Sequence, residues 1–276
     1  MWTTLALMSA LNWAPAQAGQ LELKNVRVTY GILGQERKDT TYLPGDLVVL
    51  TFDIEGLKMT DDGQVKYSMS LELYDHTKKQ VVFKKDPVDT LAVNTLGKPR
   101  LPAFALTELG TDAAAGKYTM TVVVTDVSNK DKKNRPTAEL KRDFEVKAAR
   151  FGIVRPGFTN VSMKDPQVSP PVGVPGQSLL FNFAVVGFDL KGDKMEPNVK
   201  VKMVVKDETG KAVLEKAFEG EAKQIDEEAK KLRVIPFSLP MQLNRSGTFK
   251  VVVTATDEHT GKSDSQTLDL KVVEVK

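Results

Sequence analysis

Gly116-Lys-Tyr118-Thr-Met120-Thr-Val122-Val-Val124-Thr-Asp126 and, 131 residues further on, Gly247-Thr-Phe249-Lys-Val251-Val-Val253-Thr-Ala255-Thr-Asp257 are two versions of one strand. In both, every second side chain from the aromatic onward is apolar until a closing Asp. On a pleated strand this sends one face into a core and leaves the other to water. One-sided strands belong to antiparallel sheets, because strands covered on both faces read as unbroken apolar runs.

The same offset recurs elsewhere. Pro44-Gly45 matches Pro175-Gly176, and Val48, Leu50, Phe52 and Ile54 match Leu179, Phe181, Phe183 and Val185. Gly56-Leu57 matches Gly187-Phe188. Self-similarity at one long period outranks any local propensity. Val65-Lys-Tyr67-Ser-Met69-Ser-Leu71-Glu-Leu73 and Val199-Lys-Val201-Lys-Met203 add further alternating strands. Asp-led polar turns, at Asp75–Lys79, Asp207–Lys211 and Asp257–Lys262, separate the strands as hairpin tips. The pattern predicts seven strands per copy: 21–30, 47–55, 65–75, 80–85, 101–106, 117–125 and 137–147, then 150–158, 178–187, 198–207, 211–218, 232–239, 248–256 and 264–274. Seven short alternating strands in a little over a hundred residues predict an all-β fold of two tandem antiparallel sandwiches. Only Glu219–Lys231, with Ala222, Ile225, Ala229 and Leu232 at near-helical spacing, predicts a helical turn or two.

Ala114-Ala-Gly116-Lys-Tyr118 resembles the start of the sixth strand of immunoglobulin-like domains, where a Gly-x-Tyr step ties the tyrosine hydroxyl back to nearby backbone. Met120 and Val251 stand where antibody domains carry a disulfide cysteine, and Phe249 replaces the tyrosine in the second copy. The whole is similar to the tandem immunoglobulin-like or fibronectin type III-like modules of secreted bacterial proteins. That resemblance implies binding or spacer roles and no particular activity.

Of 276 residues, 39 are Lys or Arg and 36 are Asp or Glu, and neither copy departs far from neutrality. Such balance speaks against a nucleic-acid domain. With no cysteine, thiol catalysis, disulfides, Cys-ligated metals and Cys-attached haem are excluded. Both tryptophans, Trp2 and Trp13, precede Ala18 in an uncharged stretch with a short apolar centre, a breaking Pro15 and Ala16-Gln17-Ala18, the small-x-small pattern that signal peptidase cuts after. The expected organisation is an export signal over 1–18 cleaved after Ala18, a sandwich over 19–147 and a second over 148–276. The expected location is periplasmic or extracellular.

His76 and His259 lie in hairpin tips in different copies and read as turn residues, not as a metal pair or an oriented base. No Gly-x-Ser-x-Gly elbow accompanies them. Asp61-Asp62-Gly63 and Asp189–Glu196 lack the alternating acids and bidentate Glu of a calcium loop, although weak calcium binding stays open. No catalytic residue, metal or cofactor is expected. In an immunoglobulin-like sandwich the loops after the second and sixth strands share an end. This brings Asp61 and Asp62 beside Lys130, Lys132, Lys133 and Arg135 at the free tip of the first copy, as candidate partner-binding loops. The same rule makes Phe188 and Met195 candidates for contact between the copies. The reading is therefore a non-enzymatic exported binding or spacer protein whose partner is a protein or envelope component. The alternatives are a periplasmic chaperone that pairs with client strands, which needs an apolar edge strand where the Lys-alternating strands predict protected edges, and a calcium-dependent adhesin.

Overall fold

Apolar residues at every second position make strands only when a second sheet covers them, and the chain supplies two such pairs of sheets. The computed structural model describes residues 20–97, 100–161 and 166–274; the expected export signal lies outside them. The first copy contributes β1 (Glu22–Val28), β2 (Thr41–Tyr42), β3 (Leu47–Glu55), β4 (Gln64–Asp75), β5 (Gln80–Val93), β6 (Arg100–Glu108), β7 (Gly116–Asp126) and β8 (Thr137–Val146). The second contributes β9 (Gly152–Asn160), β10 (Val168–Ser169), β11 (Val172–Gly173), β12 (Ser178–Val186), β13 (Val199–Lys206), β14 (Phe218–Ala222), β15 (Val234–Gln242), β16 (Gly247–Asp257) and β17 (Lys262–Val272), with one short helix, α1 (Glu227–Leu232).

Sheet β1-β3-β6 faces β2-β8-β7-β4-β5 across one apolar core, and β10-β9-β12-β15 faces β11-β17-β16-β13-β14 across another. The order fits an immunoglobulin-like sandwich. Met120 and Val251, at the cysteine positions, are fully buried in the respective cores. Three short strands were not in the seven-strand pattern: β2, β10 and β11. β2 and β11 pair in parallel with β8 and β17, just ahead of the Pro-Gly turns. Two residues are too few to show alternation.

The repeat extends to individual hydrogen bonds. Asp126 and Asp257, buried at the ends of β7 and β16, accept the main-chain N–H groups of Lys58 and Asp189 at 2.8 and 3.1 Å. They also accept those of Ser128 and His259 at 2.8 and 2.9 Å. Each donor pair is separated by the same 131 residues as the two acids. Tyr118 makes the expected corner, its hydroxyl donating to the Ala114 carbonyl at 2.8 Å with Asp75 Oδ2 at 3.2 Å.

The predicted strand 211–218 is corrected. After the Asp207–Gly210 turn only an isolated bridge joins Lys206 to Ala212, and pairing with β13 resumes at Phe218. Val213-Leu214 are consecutive apolar residues and Glu215-Lys216 consecutive charges, so the stretch lacks period two. The predicted helical segment shortens accordingly. Residues 219–222 belong to β14, and α1 begins only after Asp226, whose side chain caps Ala229 N at 2.7 Å. The edge expectation also changes, because the Lys-alternating strands β4 and β13 lie inside their sheets. Outside β4 lies the edge strand β5, which runs on to Val93 with Val88, Leu91 and Val93 each at least half exposed.

Burial sets an alkaline limit on the fold. Desolvation raises the Tyr30, Tyr42 and Tyr67 hydroxyls above their ordinary range, and desolvation joined by the Asp75 carboxylate pushes Tyr118 up to about 12. An unfolded tyrosine ionises near ~10. The folded state holds the neutral form, so this contribution is complete below ~10 and is lost as pH rises towards 12. Phenolate absorbance should therefore climb together with loss of the sheet circular dichroism signal. Independent ionisation of these tyrosines near ~10 in a folded chain would show that burial does not protect them.

Candidate functional site: the free tip and the junction

The loops after β3 and β7 are each tied to a strand end beside the other: Asp126, the last residue of β7, receives Lys58 N, and Val127 N donates to Lys66 O of β4 at 3.1 Å. Within the acidic loop, Thr60 Oγ1 and Gln64 Nε2 donate to the two oxygens of Asp62, and these bonds hold its carboxyl below the usual range. Asp62 therefore shapes its turn, while Asp61 stands exposed.

In the basic loop, Asn129 Oδ1 accepts Asp131 N at 3.0 Å, and Asp131 caps a short 3-10 turn by accepting Lys133 N at 3.1 Å. Arg135 folds back, its Nε donating to Asn129 O at 2.8 Å. Lys130, Lys132 and Lys133 are exposed and form no ion pair among the described residues. Of the six tip residues, Asp61 and these three lysines present charge, and Asp62 and Arg135 brace the loops that carry it.

The corresponding loops of the second copy are knitted shut. Lys191 Nζ donates to His259 O at 2.8 Å, His259 Nε2 lies 3.2 Å from Glu196 O, and Glu196 pairs with Lys230 of α1 at 3.0 Å. The lysines occupy the acidic loop, and no group of three metal-ligating side chains occurs among the described residues. His76 Nε2 sits 2.7 Å from Thr119 Oγ1, which donates to Asp143 at 2.6 Å. The hydroxyl, not the imidazole, lies in the middle of this row, the reverse of an arrangement in which histidine takes a nucleophile's proton.

Phe188 and Met195 are not where the sequence reading put them. Phe188 is buried in the second core under the Arg233 guanidinium, and Met195 is exposed at a left-handed turn position. An apolar patch of Leu43, Val154, Ala184 and Val186 lies between the copies instead. Gly45 sits over it with φ +89°, where a Cβ would meet Val186 Cγ1 at 2.9 Å.

Beside the patch is a buried ionic cluster. Arg37 Nη1 donates to Asp46 Oδ2 at 2.8 Å and Nη2 to Thr41 O at 2.8 Å, and the guanidinium lies 4.7 and 4.1 Å from the Tyr30 and Tyr42 ring centres. The side chains of Arg37 and Asp46 are 8% and 6% exposed. Asp46 Oδ1 accepts Leu47 N at 2.8 Å and, across the junction, Arg155 N at 3.0 Å. Arg155 Nε then donates to Gly45 O at 2.6 Å and its Nη2 pairs with Glu108. One carboxylate thus fixes a cation in the first copy and a main-chain donor in the second. Sequence reading passed over it, though a signal existed: Pro44-Gly45 is followed by Asp46, and its repeat Pro175-Gly176 by Gln177.

No protein-family description matches the chain, and no curated protein is similar to it in sequence. Among solved structures it is similar to dimeric latent PorU from Porphyromonas gingivalis, at 9% identity and a TM-score of 0.38 over 96% of this chain and 21% of that one. It is also similar to the C-terminal domain of the Streptococcus agalactiae AgI/II polypeptide BspA, at 10% and 0.28 over 91% and 99%. A third is trypsin-activated alpha-2-macroglobulin from Escherichia coli, at 15% and 0.26 over 91% and 15%. The chain spans about a fifth of the PorU chain. Scores of this size carry nothing about function.

Proposed function

We propose that this chain is a non-enzymatic binding or spacer element, exported to the periplasm or cell exterior, in which two sandwiches form a stiff unit that presents the loops at its free tip. The observation that carries this reading is the Asp46 cluster, which holds parts of both copies in one buried network. Asp46 immediately precedes β3 and the acidic loop follows it. The nine residues of β3 therefore set the tip roughly 30 Å from the junction. A braced pair of loops with free lysines on a rigid scaffold suits recognition of a protein or envelope component. The test is capture of partners from the native envelope fraction by the wild type and by a variant with Asp61, Lys130, Lys132 and Lys133 all changed to serine. Loss of the main partner from the variant is expected, and an unchanged set would remove the tip from the proposal.

A second reading rests on β5. Its outer side has no neighbouring strand among the described residues, and its second half carries exposed Val88, Leu91 and Val93. Such an edge offers main-chain groups and alternate apolar positions to a client strand. Lys84, Lys85 and Pro87 guard its middle, as in protected edges. Client capture that survives the tip variant but is lost in Leu91→Lys would favour this reading over the first.

A further inference from the structure

Two departures from the repeat meet at one place in the second sandwich. The first is the corner. Tyr118 is replaced by Phe249, which has no hydroxyl to tie down the preceding turn, and Ala114, whose carbonyl accepts that tie, is replaced by Arg245. The second is the edge. Phe83 of the first copy is paired within β5 opposite Leu73, but its repeat Leu214 lies in the unpaired stretch before β14. Where the hydroxyl tie is absent and the strand is not continued, a cavity of about 130 Å³ lies between them. Phe249, Leu243 and Leu270 belong to its wall, and Leu214 and Phe218, 53% and 41% exposed, also line it. Arg245 lies with its guanidinium 5.2 Å from the Phe249 ring centre.

The size and the charge say what would fit. An apolar protein cavity of about 150 Å³ holds a benzene ring. Arg245 makes no ion pair among the described residues. The nearby Asp207, whose carboxyl feels the guanidinium, has its Oδ1 engaged by Thr209 and Lys211. We propose that this cavity is a ligand site for a small carboxylic acid with an apolar body of about six carbons, the ring or alkyl chain resting on Phe249 and Leu243 and the carboxylate meeting Arg245.

The experiment uses the full chain with labelled methyl groups, titrated with phenylacetate and hexanoate and, as uncharged counterparts, with 2-phenylethanol and hexanol. Saturable shifts of the Leu214, Leu243 and Leu270 methyls are expected, with the acids favoured over the alcohols by about fivefold, the scale of one exposed charge pair. Arg245→Gln should erase that preference while keeping alcohol binding. Asp207→Asn should enlarge it, because a competing acid is removed. Leu214→Glu, at an exposed position where folding is not at stake, should abolish binding of the acids. The proposal is overturned if no saturable shift appears, if acids and alcohols bind alike in the wild type, or if only a peptide ending in phenylalanine binds and the free acids do not.

Discussion

Replacing Asp46 with alanine should lower the stability of the chain by about 3–5 kcal/mol, the scale for removing one partner of a buried ion pair. The size follows from what is left behind. Arg37 would keep its charge between Tyr30 and Tyr42 with the Thr41 carbonyl as hydrogen-bond acceptor and, at 3.6 Å, only the largely exposed Asp39 carboxylate as counter-charge. The main-chain N–H groups of Leu47 and Arg155 would lose their acceptor. At present burial opposes the charge on Arg37, and Asp46, through its charge and its hydrogen bond, turns the balance and raises the guanidinium's pKa. Arg37→Met should cost less, because Asp46 would keep its two main-chain donors while the methionine fills the space between the rings. Urea unfolding gives the first comparison and small-angle scattering the second: Asp46→Ala should show a wider spread of inter-copy distances, and Arg37→Met a smaller change. An Asp46→Ala protein that unfolds and scatters like the wild type would mean that the copies are held by the other ties across the junction, the Leu43–Val186 patch, the bonds of Arg155 to Gly45 and Glu108 and that of Asp269 N to Gln35, and the stiff-spacer reading would lose its main support.

How much of this was legible in the sequence depends on the range of the interaction. The core faces of β7 and β16 were readable because alternation is local and period two has one structural meaning. The 131-residue offset even located donors: Lys58 and Asp189 occupy matching positions and give matching bonds to Asp126 and Asp257. The corner at Tyr118 was readable because its acceptor is only four residues away. The course of β5 was not. Lys84-Lys85-Asp86-Pro87 breaks the alternation, and the structure accommodates it with an irregularity opposite Met69–Leu71 before pairing continues. Phe188 was misplaced because a loop-end rule says which residues are near a junction but not which way they face. Gly187, at φ +66° and packed against the Arg150 backbone, turns the chain so that Phe188 enters the core. The Asp46 cluster joins residues more than a hundred positions apart, and no period predicts such a bond. It left a trace only as a mismatch between copies, and Arg245 for Ala114 is a second mismatch of that kind.

Asp257→Ala should cost a further amount of about 3–5 kcal/mol, since it strips a fully buried carboxylate from two main-chain N–H groups and from Thr260 Oγ1, and each buried donor left unpaired costs about 1–3 kcal/mol. Asp126→Ala, which frees Lys58 N and Ser128 N, should fall in the same range. Where the loss appears is more informative than its size. The two acids sit in different cores, so if each sandwich is a folding unit the two losses should add. Amide exchange in Asp257→Ala would then accelerate across β12 to β17 and leave β3 to β8 protected. If the Asp46 cluster makes the junction a true coupling element, that separation should be incomplete in the otherwise wild-type chain. It should become clear, with two urea transitions in place of one, only when Asp46→Ala is added. Two transitions already present with Asp46 intact would show the junction to be a contact without cooperative weight. A single transition that persists in the double variant would show that the cores share stability through a route other than Asp46, and the linker from Val146 to Phe151 would be the next place to cut.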